Sequence, residues 1–289
     1  MLILPLFARA NIISLLISVF AYAIMAESWA IFGGSTKYSS LGHAAFFGVA
    51  MYVCCLLISY LPFALAVVCG GVISALMAFL LSFPFLRIRG PYFIIATYGL
   101  VEFFKAVFLY YEVNFTRTVG RVVAVRIGLN ELYYFLFLVL GLTAIVYYMI
   151  KKSRLGFGLR GIKEDEDIAE AFGLNTAIYK TIGFSLSAFF AGICGGLLTS
   201  RWVYIDPYIA FSSVLSFESM LMALFGGATH IEGPILGSLV FTLIGDILRD
   251  VYPMYYVIFL GVILIVVVNY LPEGIIESIR KKISVKQKV

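Results

Sequence analysis

An all-α, polytopic transmembrane bundle of about nine membrane segments is the fold class this sequence predicts. Three observations lead there. Of 289 residues, 62% are hydrophobic and 13% charged, about half the roughly 25% charged fraction of a soluble domain. The apolar residues run in stretches near the roughly 20 residues a helix needs to cross about 30 Å of hydrocarbon. The alternating short strands of a membrane barrel are absent, so backbone polar groups must pair inside helices. The whole chain, 1–289, reads as a single transmembrane domain.

The apolar segments fall near 12–33, 39–59, 61–86, 90–111, 131–150, 178–200, 213–229, 233–251 and 254–271. Gly33-Gly34-Ser35-Thr36-Lys37 separates the first two as a polar, glycine-rich break. Pro62 opens the third and Gly90-Pro91 the fourth, because proline fits a first turn. The seventh is short for a full crossing and is expected to tilt, kink or partly re-enter. Cys54, Cys55, Cys69 and Cys194 lie inside apolar stretches without metal-site spacing and read as packing residues. Arg9, and the length of the next apolar run, argue against a cleavable signal peptide.

Lys and Arg set the orientation. With the N-terminus outside and all nine segments crossing, fourteen Lys and Arg lie on the inner side and six on the outer, with Lys105 inside a helix. The opposite orientation reverses this bias. The sequence therefore predicts a multi-pass protein of the plasma (inner) membrane, N-out and C-in. Its net charge of +5 then mostly faces anionic lipid, and nothing else in it points to nucleic acid.

Two loops are long. The inner one, 151–177, contains a short predicted helix from Lys163 to Phe172. Glu164, Asp165, Glu166 and Asp167 fill its first turn, where negative charge suits the helix dipole. Gly173 is placed to end it, and Glu170 sits on its surface. Ile168 and Phe172, four apart, form a small apolar stripe. Ten residues are too few for a stable isolated helix. It either packs on its own bundle or docks into another protein, and physics alone leaves both open. The outer loop, 112–130, carries Arg117, Arg121 and Arg126 with Glu112, and Glu131 follows it. It is either a solvated connection or a face for an external partner.

Small residues mark close helix packing. Gly42, Ala44, Ala45, Gly48 and Ala50 share one run, and the pairs Gly192/Gly196 and Gly233/Gly237 have the small-xxx-small spacing. Polar turns precede small-residue helix starts at 39–48 and 229–238, an echo such as an inverted repeat would leave. Charges inside spans need a reason. Glu102 lies about 18 Å into its helix, near mid-membrane, with Lys105 on the same face and Tyr98 one turn back. The pair is either a structural ion pair or part of a permeation route. Glu27, Glu218 and Asp246 are expected to face protein or a cavity, and His43 to make a structural hydrogen bond. There is no phosphate-binding loop of the G-x-x-x-x-G-K-[ST] type and no catalytic or metal-binding constellation. If ATP drives this protein, another chain hydrolyses it.

Several motifs resemble one known family. Ser40-Leu41-Gly42-His43-Ala44-Ala45-Phe46-Phe47-Gly48-Val49-Ala50-Met51-Tyr52 is similar to the signature of branched-chain amino acid ABC transporter permeases of the LivM type. The stretch Leu86-Arg87-Ile88-Arg89-Gly90-Pro91-Tyr92-Phe93-Ile94-Ile95-Ala96-Thr97 resembles the next characteristic one. Gly156-Phe157-Gly158-Leu159-Arg160 through Gly173-Leu174-Asn175 is similar to the family's cytoplasmic loop. Ser216-Phe217-Glu218, Gly226-Gly227 through Gly233-Pro234-Ile235-Leu236-Gly237, and Leu271-Pro272-Glu273-Gly274 fit as well. The resemblance spans about 20–275. It implies a non-enzymatic permease subunit that binds no cofactor itself and uses ATP through partner subunits. The implied partners are a second permease, two cytoplasmic ATPases and an extracytoplasmic solute-binding protein, importing branched-chain amino acids. It also implies that Lys163–Gly173 is a coupling helix, and that the outer arginines meet the binding protein.

Departures from the family pattern bear on substrate. Members usually have one more hydrophobic segment in front, so the chain begins at their second helix, in agreement with N-out. Thr116-Arg117-Thr118-Val119-Gly120 stands where Thr-x-Gly-Gly is usual, Ala30 replaces a usual Asn, and Glu27 an apolar or small residue. Relatives handle urea, short amides and other amino acids. A self-sufficient secondary transporter using Glu102 or Glu27 as an ion site is the alternative.

Overall fold

A computed structural model describes residues 10–124, 127–251, 255–270 and 274–276. Helices stand at all nine apolar segments. They are α1 Ala10–Trp29, α2 His43–Leu57, α3 Phe63–Phe85, α4 Pro91–Tyr111, α5 Leu129–Lys152, α8 Thr176–Leu198, α10 Ser213–Gly226, α11 Glu232–Val251 and α12 Tyr256–Tyr270. Between α5 and α8 lie α6 Arg154–Glu164 and α7 Glu166–Ala171, and α9 Pro207–Ala210 precedes α10. Among the described residues six spans could cross a membrane by length and composition: α1 with its π-helical extension to Gly34, α3, α4 with its extension to Thr116, α5, α8 and the α9–α10 unit. The chain is thus a multi-pass membrane protein. The motif Leu271-Pro272-Glu273, Arg9, Arg126 and the basic tail beyond 276 lie outside the described residues.

Helices α1, α2, α8 and α10 form the buried middle, with α8 packed along α3 and α2, and α1 along α5, α10 and α11. Small residues permit this. A side chain on Gly192 would meet Ser74 and Gly71 of α3, and one on Gly195 would strike the Phe47 backbone of α2. Gly226 and Gly233 back onto each other's chain, so α10 and α11 touch backbone to backbone. These are the close approaches that small-residue spacing supports in lipid. Phe32, Tyr38, Phe93 and Phe184 form a cluster of tilted and edge-to-face rings at the end of the bundle near α6 and α7. Outer helices show apolar residues outward, among them Leu80, Ile95 and Leu138.

The second segment becomes helical at His43, where its helix is expected to begin, and residues 39–42 before it are irregular yet mostly buried. Buried irregular backbone needs partners. Thr97 Oγ1 accepts from Leu41 N, Ser216 Oγ accepts from Ala44 N, and Trp29 Nε1 donates to Ser40 O. Two expectations are corrected. The helix predicted over 163–172 is two helices. Lys163 and Glu164 end α6, and Asp165 caps α7, accepting from Asp167 N and Ile168 N at 3.0 Å. An N-cap needs extended backbone, and that breaks the run. Second, residues 154–162, expected as loop, belong to α6, although Gly156, Gly158 and Gly161 weaken helix propensity. Gly156 and Gly158 are there for contact: they back onto the Ile150 carbonyl and the Tyr179 ring.

In the outer loop, Arg121–Val122 pairs antiparallel with Tyr204–Ile205. Buried Glu112 accepts from Gly120 N at 2.6 Å and lies 3.9 Å from Arg121. Arg121 is therefore turned inward, while Arg117 stays exposed.

Candidate functional site

The first candidate is the platform made by α6, α7 and the start of α8. Leu159 and Ile162 of α6 are buried beneath it. Leu174 N donates to Ala169 O and Gly173 N to Glu170 O, with Gly173 at φ +84°, the left-handed stop expected for a C′ glycine. The outer side is apolar: Ile168 is 55% exposed and Phe172 88%. With Phe157 they line a groove of about 500 Å³ between α6 and α7. Large apolar side chains held outward on a rigid support suit a partner protein better than water.

The platform is clasped to the bundle. Glu166, at the start of α7, accepts from Lys180 of α8 at 2.5 Å and from the Tyr38 hydroxyl at 2.6 Å. Lys180 also donates to Leu86 O at 3.0 Å, and Arg89 pairs with Asp167 at 2.9 Å. Burial works against the Glu166 carboxylate. The hydrogen bonds from Lys180 and Tyr38, with the charge of Arg89, nonetheless hold it below the usual carboxylate range. Lys163 donates to Gly34 O at 2.8 Å, and burial together with nearby Lys37 lowers its proton affinity. Glu170 accepts from Thr176. Helices α6 and α7 together thus grip the extension of α1, the α3–α4 turn and the start of α8. Sequence reasoning found Glu166 but not Lys180, Tyr38 or Arg89 as its partners.

The second candidate is a chamber of about 630 Å³ at the other end of the bundle. Helix α8 starts at the platform and ends at the chamber, 23 residues later, or about 34 Å. Ile17, Ser18 and Met25 of α1, Met51 of α2, Leu215 of α10, and Arg201, Glu218, Asp246 and Tyr256 line it. Glu218 is 3% exposed and accepts from Tyr256 at 2.5 Å. Sequence reasoning marked Glu218 and Asp246 separately. The pocket unites them with Arg201, which was counted only as an outer charge.

A cleft of about 770 Å³ opens beside the platform, lined by Trp29, Gly34, Lys37, Lys163, Leu224 and His230. Helices α1 and α10 therefore wall both cavities. Between them the α1 residues Ala26, Glu27 and Ser28 have no exposure. His43 Nε2 lies 2.9 Å from Ser187 Oγ, whose hydroxyl donates to Ser28 O at 2.6 Å. That committed hydroxyl requires the Nε2–H tautomer of His43. Gly48 lies against Phe211 and Ala210 O, and Gly227, at φ +107°, ends α10. Glu102 and Lys105 line neither cavity. They pair on partly exposed α4, Lys105 Nζ donating to both carboxylate oxygens at 2.8 Å. Among the described residues no cluster of three His, Cys, Asp or Glu could hold a metal.

The chain is 25% identical over 279 residues to the high-affinity branched-chain amino acid transport system permease protein LivM of Salmonella typhimurium, covering 85% of this chain and 65% of that protein. It thus spans about two thirds of that relative's length. The fructose import permease protein FrcC of Rhizobium meliloti is 24% identical over 72% of this chain and 62% of its own. In fold, the chain resembles a chain of PsaBC from Streptococcus pneumoniae, solved with a Fab, at TM-score 0.52 and 15% identity, covering 94% of this chain and 96% of that one. The family model described as branched-chain amino acid transport system / permease component matches residues 11–268. This chain belongs to that family.

Proposed function

We propose that this chain is the membrane-spanning permease subunit of an ATP-driven importer of branched-chain or related amino acids. ATP is hydrolysed on two cytoplasmic partner subunits, and the chain holds no cofactor of its own. The observation that carries this reading is the platform, where Phe172 is 88% exposed on a helix clasped to the bundle by Glu166 and Lys180. A push on α6 and α7 is delivered to α8, to the α3–α4 turn and to the end of α1 rather than lost in a loop. The platform then faces the cytoplasm, in keeping with the N-out, C-in bias, and the chamber faces outside. A second permease subunit covers an outward apolar face of the outer helices. A solute-binding protein meets the outer loops, with Arg117 available and Arg121 engaged by Glu112.

Purification from the native membrane in mild detergent tests it. The expected result is a complex containing nucleotide-binding subunits with ATPase activity. A preparation that transports solute with no such subunit refutes the reading.

A further inference from the structure

We propose that the groove between the platform ends of α3 and α8 is a binding site for an anionic phospholipid. Arg87 takes the headgroup phosphate, and Phe79, Phe83, Ile178 and Ile182 take the acyl chains. The choice of leaflet rests on the permease reading above, which puts this end of the bundle at the cytoplasmic face.

The groove is built from two helix ends. Phe79 and Phe83 stand four residues apart on α3, and Arg87 follows four residues later in the α3–α4 turn. That spacing keeps the two rings on one helix face, edge to face with centroids 5.5 Å apart. Ile178 and Ile182 repeat the spacing on α8. All four are between 45% and 58% exposed, and the groove they line holds about 420 Å³. Its polar floor is already satisfied. The Thr181 hydroxyl donates to Ser82 Oγ at 3.0 Å, and Lys180 is engaged by Glu166 and Leu86 O. Arg87 is exposed and makes no ion pair among the described residues. The lining carries no acidic residue to neutralise it.

Charge and apolar surface are therefore ordered along the groove. The cation lies beyond the end of α3, and the apolar walls run from it toward the bilayer. A soluble anion would leave those walls unused, whereas a phospholipid presents a phosphate and hydrocarbon in that order. Basic pockets between membrane helices on the cytoplasmic side suit anionic headgroups, and the guanidinium fork matches phosphate oxygens. A lipid seated here also covers Leu86 and Lys180, whose hydrogen bond is part of the clasp. A contact shielded from water is electrostatically stronger, so the lipid braces the platform.

The test uses the full transporter, purified with its partner subunits in mild detergent, and reads retained lipid by native mass spectrometry. Phosphatidylglycerol, cardiolipin and zwitterionic phosphatidylethanolamine are offered in equal amounts with the same acyl chains. The unmodified protein should retain an anionic lipid at least about tenfold over the zwitterionic one, the scale of one charge-assisted hydrogen bond. Arg87→Gln should lose that preference. Arg154→Gln, which removes an exposed cation outside the groove, should keep it. If Arg87→Gln fails to insert, Ile178→Glu decides. It places an acid in the first turn of α8, where a helix tolerates one, and should expel the anionic lipid. Undiminished preference in Arg87→Gln overturns the site, and so does an equal loss in Arg154→Gln, which would mark a diffuse charge effect. Phosphatidylglycerol with a photoreactive acyl chain should cross-link within 79–83 or 178–182. A protein–protein cross-link from Phe83→Cys to a second permease subunit overturns the proposal instead. None of these readouts needs solute or ATP, so their failure leaves the permease reading standing. A complex without nucleotide-binding subunits refutes that reading and leaves lipid retention readable.

Discussion

Two lysine–carboxylate pairs in this molecule look alike on paper and differ in what they hold. Glu102 and Lys105 are three residues apart on one helix, with side chains 40% and 19% exposed. They neutralise each other on α4 and tie nothing to anything else. Glu166 and Lys180 are 14 apart, 10% and 5% exposed, and belong to different elements. Tyr38, Leu86 O and Arg89 complete their network. The first pair lowers the cost of placing charge within a span. The second joins a surface helix to the interior, and its geometry matters because each charge has given up water.

The comparison is broken most directly at Lys180. Lys180→Met leaves Glu166 buried without its main partner and should cost about 3 kcal/mol or more, read as a lower Tm and lost uptake. Adding Glu166→Gln should recover part of that loss, which a double-mutant cycle measures as coupling. Next in size is Phe172→Asp, which removes an exposed apolar anchor and leaves the clasp intact. ATP-driven uptake should fall at least about tenfold, the loss of roughly 1.4 kcal/mol at one contact, with Tm unchanged.

A pH series sharpens the contrast. The Glu166 carboxylate is held below its ordinary value of 4.5, so its contribution is present above that value and is lost as pH falls through the depressed one. Thermal stability of the unmodified protein should therefore drop more steeply below pH 4.5 than that of Glu166→Gln. The smallest effect is expected for Glu102→Gln combined with Lys105→Met. Removing both partners of a partly exposed pair should change stability by less than about 1 kcal/mol and leave uptake intact. A large loss there would place α4 on the route.

Local features were legible in the sequence and long-range ones were not. Apolar run length marked every long helix, and Gly173 marked the end of α7, because both signals sit within a few residues of what they specify. The Glu102–Lys105 contact was legible as two residues on one helical face. The partner of Glu166 was not, since Tyr38 lies 128 residues away and no periodicity joins them. Helix α6 was hidden by glycines that serve packing, although Ser153 at its cap and the spacing of Leu155, Leu159 and Ile162 point to it. The chamber needed the fold itself, which draws Arg201, Glu218 and Asp246 from three elements.

Met25 borders the chamber and Trp29 borders the cleft, so the septum along α1 is three residues deep, a rise of about 6 Å from Met25 to Trp29. A leucine-sized solute is about as long as that wall is thick. On the proposed route, a solute leaving one vestibule is already entering the other.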